Sequence, residues 1–296
     1  MEFNLLFKVT SECNQKCKYC YRDFEKVYDY NNTSIINNLL GILKSRYISR
    51  ITFTGGEPTT YKNLKLLINL FGTYKNLIVL TNGIKLLDID EKVLKYIDLV
   101  VSLDGDKDVM KKNRGVNFST FETIIDNIKL YISKCKSVTI NTVLTKYNLY
   151  KSDYYPYKIF GSKILYNISV PSLIYTPNDY VIDCSKYDKA YNLILKYIEE
   201  SNYKMNCNTN LIYSDIFIFN KHDIVKNMVS IEYRMETNTF HIFDKICFSL
   251  DEAILFAQNI VDKILVILEN YIKKKNTAFL FDPYSTIEKI IFEKGL

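Results

Sequence analysis

Three cysteines stand within eight positions near the N-terminus, Cys13, Cys17 and Cys20 in "CNQKCKYC", and the next is Cys135. A structural zinc site wants four ligands, usually as two paired knuckles. No histidine is near enough in sequence to complete such a set, because the only two are His222 and His241. An iron–sulfur cubane held by three thiolates instead keeps one iron open to an external ligand. The spacing therefore points to a cluster with one open coordination position.

A site of that kind needs a frame, and the rest of the chain supplies the pattern of one. Strand-like runs cover 4–10, 51–54, 77–81, 99–103, 137–144 and 164–170, with helical stretches at 34–47, 62–72, 90–97, 119–134 and 186–200 and a weaker one near 151–160. Strands alternating with helices imply parallel βα units. Six such units predict an α/β fold, a partial (β/α)6 TIM-like barrel over residues 1–204. In barrels of this type the chemistry sits at the C-terminal ends of the strands. The first four predicted strands lead into "SECNQKCKYC", "GGEP", "NG" and "DGD", so the polar and glycine clusters gather at one rim. From about residue 205 the pattern changes. "NLIYSDIFIFN" and "VSIEYRMETNTFHIF" alternate like antiparallel strands, a long helix follows at about 251–274, and "STIEKIIFEK" reads as a short last helix. Residues 205–296 are expected to form a small α+β appendage.

Composition narrows the function classes. The 296 residues are 48% hydrophobic, enough for a sizeable core, with 9 Gly, 5 Pro and no linker-like stretch. The richness in Ile, Lys, Asn and Tyr fits an AT-rich coding sequence, common among anaerobes. The 39 Lys and Arg against 33 Asp and Glu leave a net charge of +6, which suits a solvated basic surface and falls short of a nucleic-acid footprint. "EFNLLFKVT" has the pattern of a strand rather than a signal peptide, and the apolar helix at 253–272 carries Gln258, Asn259, Asp262, Lys263 and Glu269, so no membrane span is expected. The expected compartment is the cytoplasm, where seven cysteines argue for metal or catalytic use rather than disulfides.

"CNQKCKYCY" resembles the signature of the radical S-adenosylmethionine (SAM) enzymes, CxxxCxxC with an aromatic before the third cysteine. The resemblance implies a [4Fe-4S] cluster on Cys13, Cys17 and Cys20 whose open iron chelates the methionine moiety of SAM. Reduction then splits a carbon–sulfur bond and releases a 5′-deoxyadenosyl radical that abstracts hydrogen. "FTGGEP" looks like the family's glycine-glycine-glutamate motif, which places Gly55, Gly56, Glu57 and Pro58 at the cofactor and gives Glu57 the methionine ammonium. "TNG", "SLDG" and "NRG" resemble the peptide-modifying, sulfatase-maturase-like branch. By that resemblance Asn82 lies at the cofactor and Ser102 and Asp104 serve its ribose or carboxylate side. Arg114 neutralises the cofactor carboxylate or positions the following helix. Asn141 meets ribose hydroxyls, Val143 packs near adenine, and Tyr19 lies against the adenine edge. The resemblance covers about residues 3–175.

The branch commonly carries further cysteines for auxiliary clusters, whereas residues 205–296 hold only Cys207 and Cys247. An extension without an auxiliary cluster is expected, as is a barrel with no leader-peptide-binding domain before it. Cys184 and Cys207, read as lying in polar loops, are candidate hydrogen donors to a substrate radical, as in epimerisation. The leading expectation is modification of a peptide, by epimerisation or cross-linking, with flavodoxin or ferredoxin as reductant. A second reading keeps the cofactor and takes a nucleotide or small metabolite as substrate. A third is a non-catalytic iron–sulfur partner protein.

Overall fold

Alternation of apolar residues builds the frame from its first strand. In β1 (Phe3–Lys8) the side chains of Phe3, Leu5 and Phe7 are fully buried while Asn4 and Leu6 are half-buried. The computed structural model describes residues 2–20, 32–72, 76–149, 154–169, 205–207, 229–243 and 245–273. After β1 come α1 (Asn32–Lys44), β2 (Ile48–Thr54), α2 (Leu64–Gly72), β3 (Asn76–Thr81), α3 (Glu91–Leu94), β4 (Ile97–Ser102), α4 (Lys107–Arg114) and α5 (Phe118–Lys134). Then follow β5 (Ser137–Val143), α6 (Tyr155–Phe160), β6 (Leu165–Ser169), β7 (Met205–Cys207), β8 (Ile231–Arg234), β9 (Thr239–Ile242), β10 (Lys245–Cys247) and α7 (Leu250–Lys273). No described helix is long and apolar enough to cross a membrane.

Strands β1 to β7 pair in sequence order, all parallel, within one sheet of order β10-β9-β8-β1-β2-β3-β4-β5-β6-β7. Among the described strands β10 and β7 stand at its edges, and the barrel is not closed. All six expected barrel strands are present, with ends shifted by up to three residues. The helical expectation at 186–200, the strand pattern of 210–220 and the last short helix lie outside the described residues.

Two features differ from expectation. Cys207 ends a three-residue strand, β7, that pairs with β6 through Ile168↔Cys207, rather than standing in a loop. "MNC" is too short to show a period and has no β-branched residue, so its strand conformation comes from the β6 edge. In the second, "VSIEYRMETNTFHIF" does form an antiparallel hairpin, β8–β9, but β8 also pairs parallel with β1, from Leu5↔Ile231 to Lys8↔Arg234. The late strands thus extend the barrel sheet itself. Asn238 takes the left-handed turn position at φ 51°, which Asn tolerates well.

The sheet has a dry face and a half-open one. Phe7, Phe53, Phe71 of α2 and Tyr233 of β8 cluster with ring centroids 5.1–6.3 Å apart, at separations that favour tilted and edge-on aromatic pairs. The opposite face alternates with it along β3 to β6 and stays half-buried. Polar side chains occupy much of that face, as a ligand-holding concavity requires.

Candidate cluster and cofactor site

The cysteines lie on the loop after β1, at the C-terminal rim. Cys13 and Cys17 are half-buried and Cys20 is exposed. The loop is docked at its base onto the turn after β2: Gly56 N–H donates to Thr10 O at 2.7 Å, and Glu57 N–H donates to Glu12 O at 2.8 Å. The two glycines make this approach possible. A Cβ on Gly56 would lie 2.2 Å from Glu12 O, and one on Gly55 would lie 2.3 Å from Thr10 O, with Gly55 at φ +147°. Sequence reasoning assigned these glycines to close approach by a ligand. In the structure they are needed for close approach by the cysteine loop.

Glu57 joins three rim segments. Its carboxylate is buried at 1% exposure. Oε1 accepts from Thr59 N–H (3.1 Å), Thr59 Oγ1 (2.7 Å) and Thr81 Oγ1 (2.7 Å), and Oε2 accepts from Asn82 N–H (2.7 Å). Pro58 starts a short 3₁₀ turn for which Glu57 is the N-cap, a position that suits its fixed φ. Asn82 in turn donates from Nδ2 to Asn14 Oδ1 at 2.7 Å, inside the cysteine loop. An ammonium at Glu57 would therefore meet a carboxylate already oriented by four donors, with lone-pair capacity remaining on Oε2.

The outer half of the loop is tied to β4 and α4. Asp104, 2% exposed, accepts from Arg114 Nε and Nη2 at 2.9 Å each, Tyr19 Oη (2.7 Å), Asn113 Nδ2 (3.2 Å) and Val143 N–H (3.1 Å). Arg114 is buried and its guanidinium lies 5.4 Å from the Tyr19 ring centroid. Its Nη1 stands 3.9 Å from Cys17 Sγ, and Lys18 N–H donates to Asn113 O at 2.8 Å. Burial pushes the Cys17 thiol up to about 11, while the Arg114 charge pulls the other way. Asp104, Arg114 and Tyr19, separate candidates in the sequence, form one buried network bracing Cys17 and Cys20.

Across the concave face the strand register aligns Ser102 with Asn141, and Asn141 with Asn167. Asn167 Nδ2 donates to Asn141 Oδ1 at 2.5 Å. Val143 is half-buried two residues beyond Asn141 on the same face. The structure therefore brings Ser102, Asn141 and Val143 to one surface beside Asp104. Cys184 lies outside the described residues, as does the side chain of Cys207.

Contributors that escaped the sequence reading include Ser11, Asn14, Gln15, Asn113, Asn167 and Glu236. Glu236, in the β8–β9 turn, is buried and accepts from Ser11 N–H (2.5 Å), from Thr10 Oγ1 (3.4 Å) and from Ser11 Oγ. Helix α4, also missed, carries Asn113 and Arg114. Its signals are Asp106 as N-cap, accepting from Asp108 and Val109 N–H, and Gly115 at φ 66° as the terminator.

The donor set fits a cluster better than a single ion. Among the described residues no three His, Cys, Asp or Glu side chains converge as ligands of one metal would. Three thiols on one loop are the donor set that a three-cysteine cubane requires. A buried donor beside Cys17, Gln15 Nε2, finds no partner among the described residues, as expected where a sulfur acceptor belongs.

An open parallel half-barrel with a three-thiol loop at its C-terminal rim defines a class of iron–sulfur protein. Residues 7–149 match the Radical SAM superfamily. That family uses a [4Fe-4S] cluster and SAM. The chain is 28% identical over 149 residues to a probable GTP 3′,8-cyclase of Thermococcus kodakarensis, covering 48% of each protein. It thus spans about half the length of the curated relatives it matches. By fold it is similar to Streptococcus suis SuiB bound to precursor peptide SuiA, with TM-score 0.64 and 18% identity over 81% of this chain and 59% of that one. It is also similar to anSMEcpe with bound AdoMet and Kp18Cys peptide, with TM-score 0.59 and 18% identity over 81% and 74%.

Proposed function

We propose that this protein is a radical SAM enzyme that abstracts hydrogen from a peptide substrate. The observation that carries the reading is the rim itself: the three-cysteine loop, the Gly55-Gly56-Glu57 turn and the Asp104–Arg114 pair are bonded into one unit. A reduced cluster bound there would supply the one-electron chemistry that cleaves SAM and generates a hydrogen-abstracting radical. Cys13, Cys17 and Cys20 would hold the cluster. Glu57 Oε2 would accept from the methionine ammonium, and the row of Ser102, Asn141 and Asn167 offers hydroxyl and amide groups to a ribose. The Asp104–Arg114–Tyr19 network holds the loop still and keeps water from behind Cys17.

The peptide assignment is supported by the "TNG", "SLDG" and "NRG" runs and by the extent of fold similarity to SuiB and anSMEcpe. Cys135 caps the end of α5, at the N-terminal rim of the sheet. That location, opposite the cysteine loop, supports an extension without an auxiliary cluster, and with it a hydrogen-returning reaction such as epimerisation with Cys184 or Cys207 as donor. The sequence relatedness to a GTP 3′,8-cyclase favours a nucleotide as the second reading.

Anaerobic reconstitution, reduction with dithionite and addition of SAM should yield 5′-deoxyadenosine, measured by mass spectrometry. An intact cluster that yields none would sink the enzyme reading, and iron retained after replacement of all three loop cysteines by alanine would sink the cluster assignment. A peptide encoded by a short reading frame beside this gene should raise 5′-deoxyadenosine formation above background. Stimulation by GTP instead would select the nucleotide reading.

A further inference from the structure

Gln15 sits between two of the cluster cysteines and is nine-tenths buried. Its Oε1 accepts from the Cys17 thiol at 3.3 Å. Its Nε2 is the one buried side-chain nitrogen or oxygen among the described residues without a partner. A buried N–H left unpaired bears the full desolvation penalty of that group. Such an atom beside a ligand cysteine calls for an explanation from the site.

The explanation lies in the change of Cys17 on ligation. A thiol donates through S–H, whereas a metal-bound thiolate has lost that proton to solvent and can only accept. A half-turn of the Gln15 amide exchanges its two ends with almost no change of shape. The orphan is then a carbonyl oxygen, which buried sites tolerate better than an orphan N–H.

We infer that Gln15 donates an N–H···S hydrogen bond to the Cys17 sulfur when the cluster is bound. It is a positioning residue that stabilises the added negative charge of the reduced cluster. Hydrogen bonds to cluster sulfurs are among the levers that set reduction potential. Arg114 Nη1, 3.9 Å from the same sulfur, adds a second donor to that thiolate.

The inference rests on the cluster reading above, and its test separates the two. The chain has two glutamines, Gln15 and Gln258, so glutamine labelled with 15N at the side-chain amide is nearly site-specific. In reconstituted, dithionite-reduced protein without SAM, pulsed EPR should detect a 15N coupling to the cluster that survives Gln258→Leu and vanishes in Gln15→Leu. The midpoint potentials of Gln15→Leu and Gln15→Met should be more negative than that of the wild type at equal iron content. A wild-type cluster signal without 15N coupling overturns the inference alone, as does an unchanged potential in both variants. A wild type with no cluster signal overturns both readings. Should the Gln15 variants fail to hold iron, the labelled wild type still decides.

Discussion

Replacing Asp104 by Asn probes the brace behind the cysteine loop, because it removes the charge and turns one of its two acceptor oxygens into a donor. The Arg114 and Asp104 side chains are 6% and 0% exposed, with two N···O contacts of 2.9 Å. At that separation the attraction is about 6 kcal/mol for an effective dielectric of about 20. Desolvation offsets much of this in the intact pair, but removing one partner leaves the other buried and uncompensated, at a cost of about 3–5 kcal/mol. The Asn oxygen can serve only one of the two donor sets, and its NH2 then faces the other, which places the expected loss near the upper end. Since whole domains are stable by about 5–15 kcal/mol, the midpoint of urea unfolding, followed by circular dichroism on cluster-free protein, should fall clearly. The double variant Asp104→Asn/Arg114→Met, with no charge left buried, should be more stable than Asp104→Asn alone. A loss under about 1 kcal/mol for Asp104→Asn, or a double variant worse than the single, would refute the reasoning.

Three further outcomes are expected. Gly56→Ala drives a Cβ against the carbonyls of Ser11 and Glu12, so it should cost about 2–4 kcal/mol from overpacking and a lost hydrogen bond and halve or worse the iron bound after reconstitution. An unaltered melting temperature would contradict this. Glu236→Ala strips the acceptor from Ser11 N–H, and hydrogen exchange across 11–20 should accelerate at least severalfold while exchange in β4 and β5 stays unchanged. In cluster-free protein at pH 8, iodoacetamide should label exposed Cys20 well before Cys135. Burial and the Asp98 carboxylate push the Cys135 thiol up to about 11, leaving about 0.1% thiolate at that pH, and thiolate is the reactive form. Because the shift is upward, Cys135 should become reactive only as pH approaches 11, and equal labelling rates by mass spectrometry at pH 8 would disprove its burial.

The barrel strands were legible because each is a run rich in β-branched or aromatic residues and the first four end in a polar or glycine cluster, and both signals are local. The three-cysteine loop stood out by its spacing, and Gly55 and Gly56 by their place after a strand. What stayed hidden depends on partners far away in the chain. Glu236 carries no local mark of a buried acceptor and acquires that role only because β8 pairs with β1. Helix α4 is polar along most of its length, so periodicity failed there, although its Asp106 cap and Gly115 terminator were readable. The Asp104–Arg114 pairing could not be foreseen either, since it follows from α4 folding back over the end of β4.

The pairing of β8 with β1 also has a temporal side. The contact from Ser11 to Glu236 spans 225 positions of the chain. At translation rates of about 5–20 residues per second, roughly 10–45 s separate the emergence of the cysteine loop from that of its clamp. Throughout that interval the nascent chain presents three thiols on a loop whose base lacks one of its holds. A carrier delivering iron during translation would therefore meet a looser acceptor than one arriving afterwards.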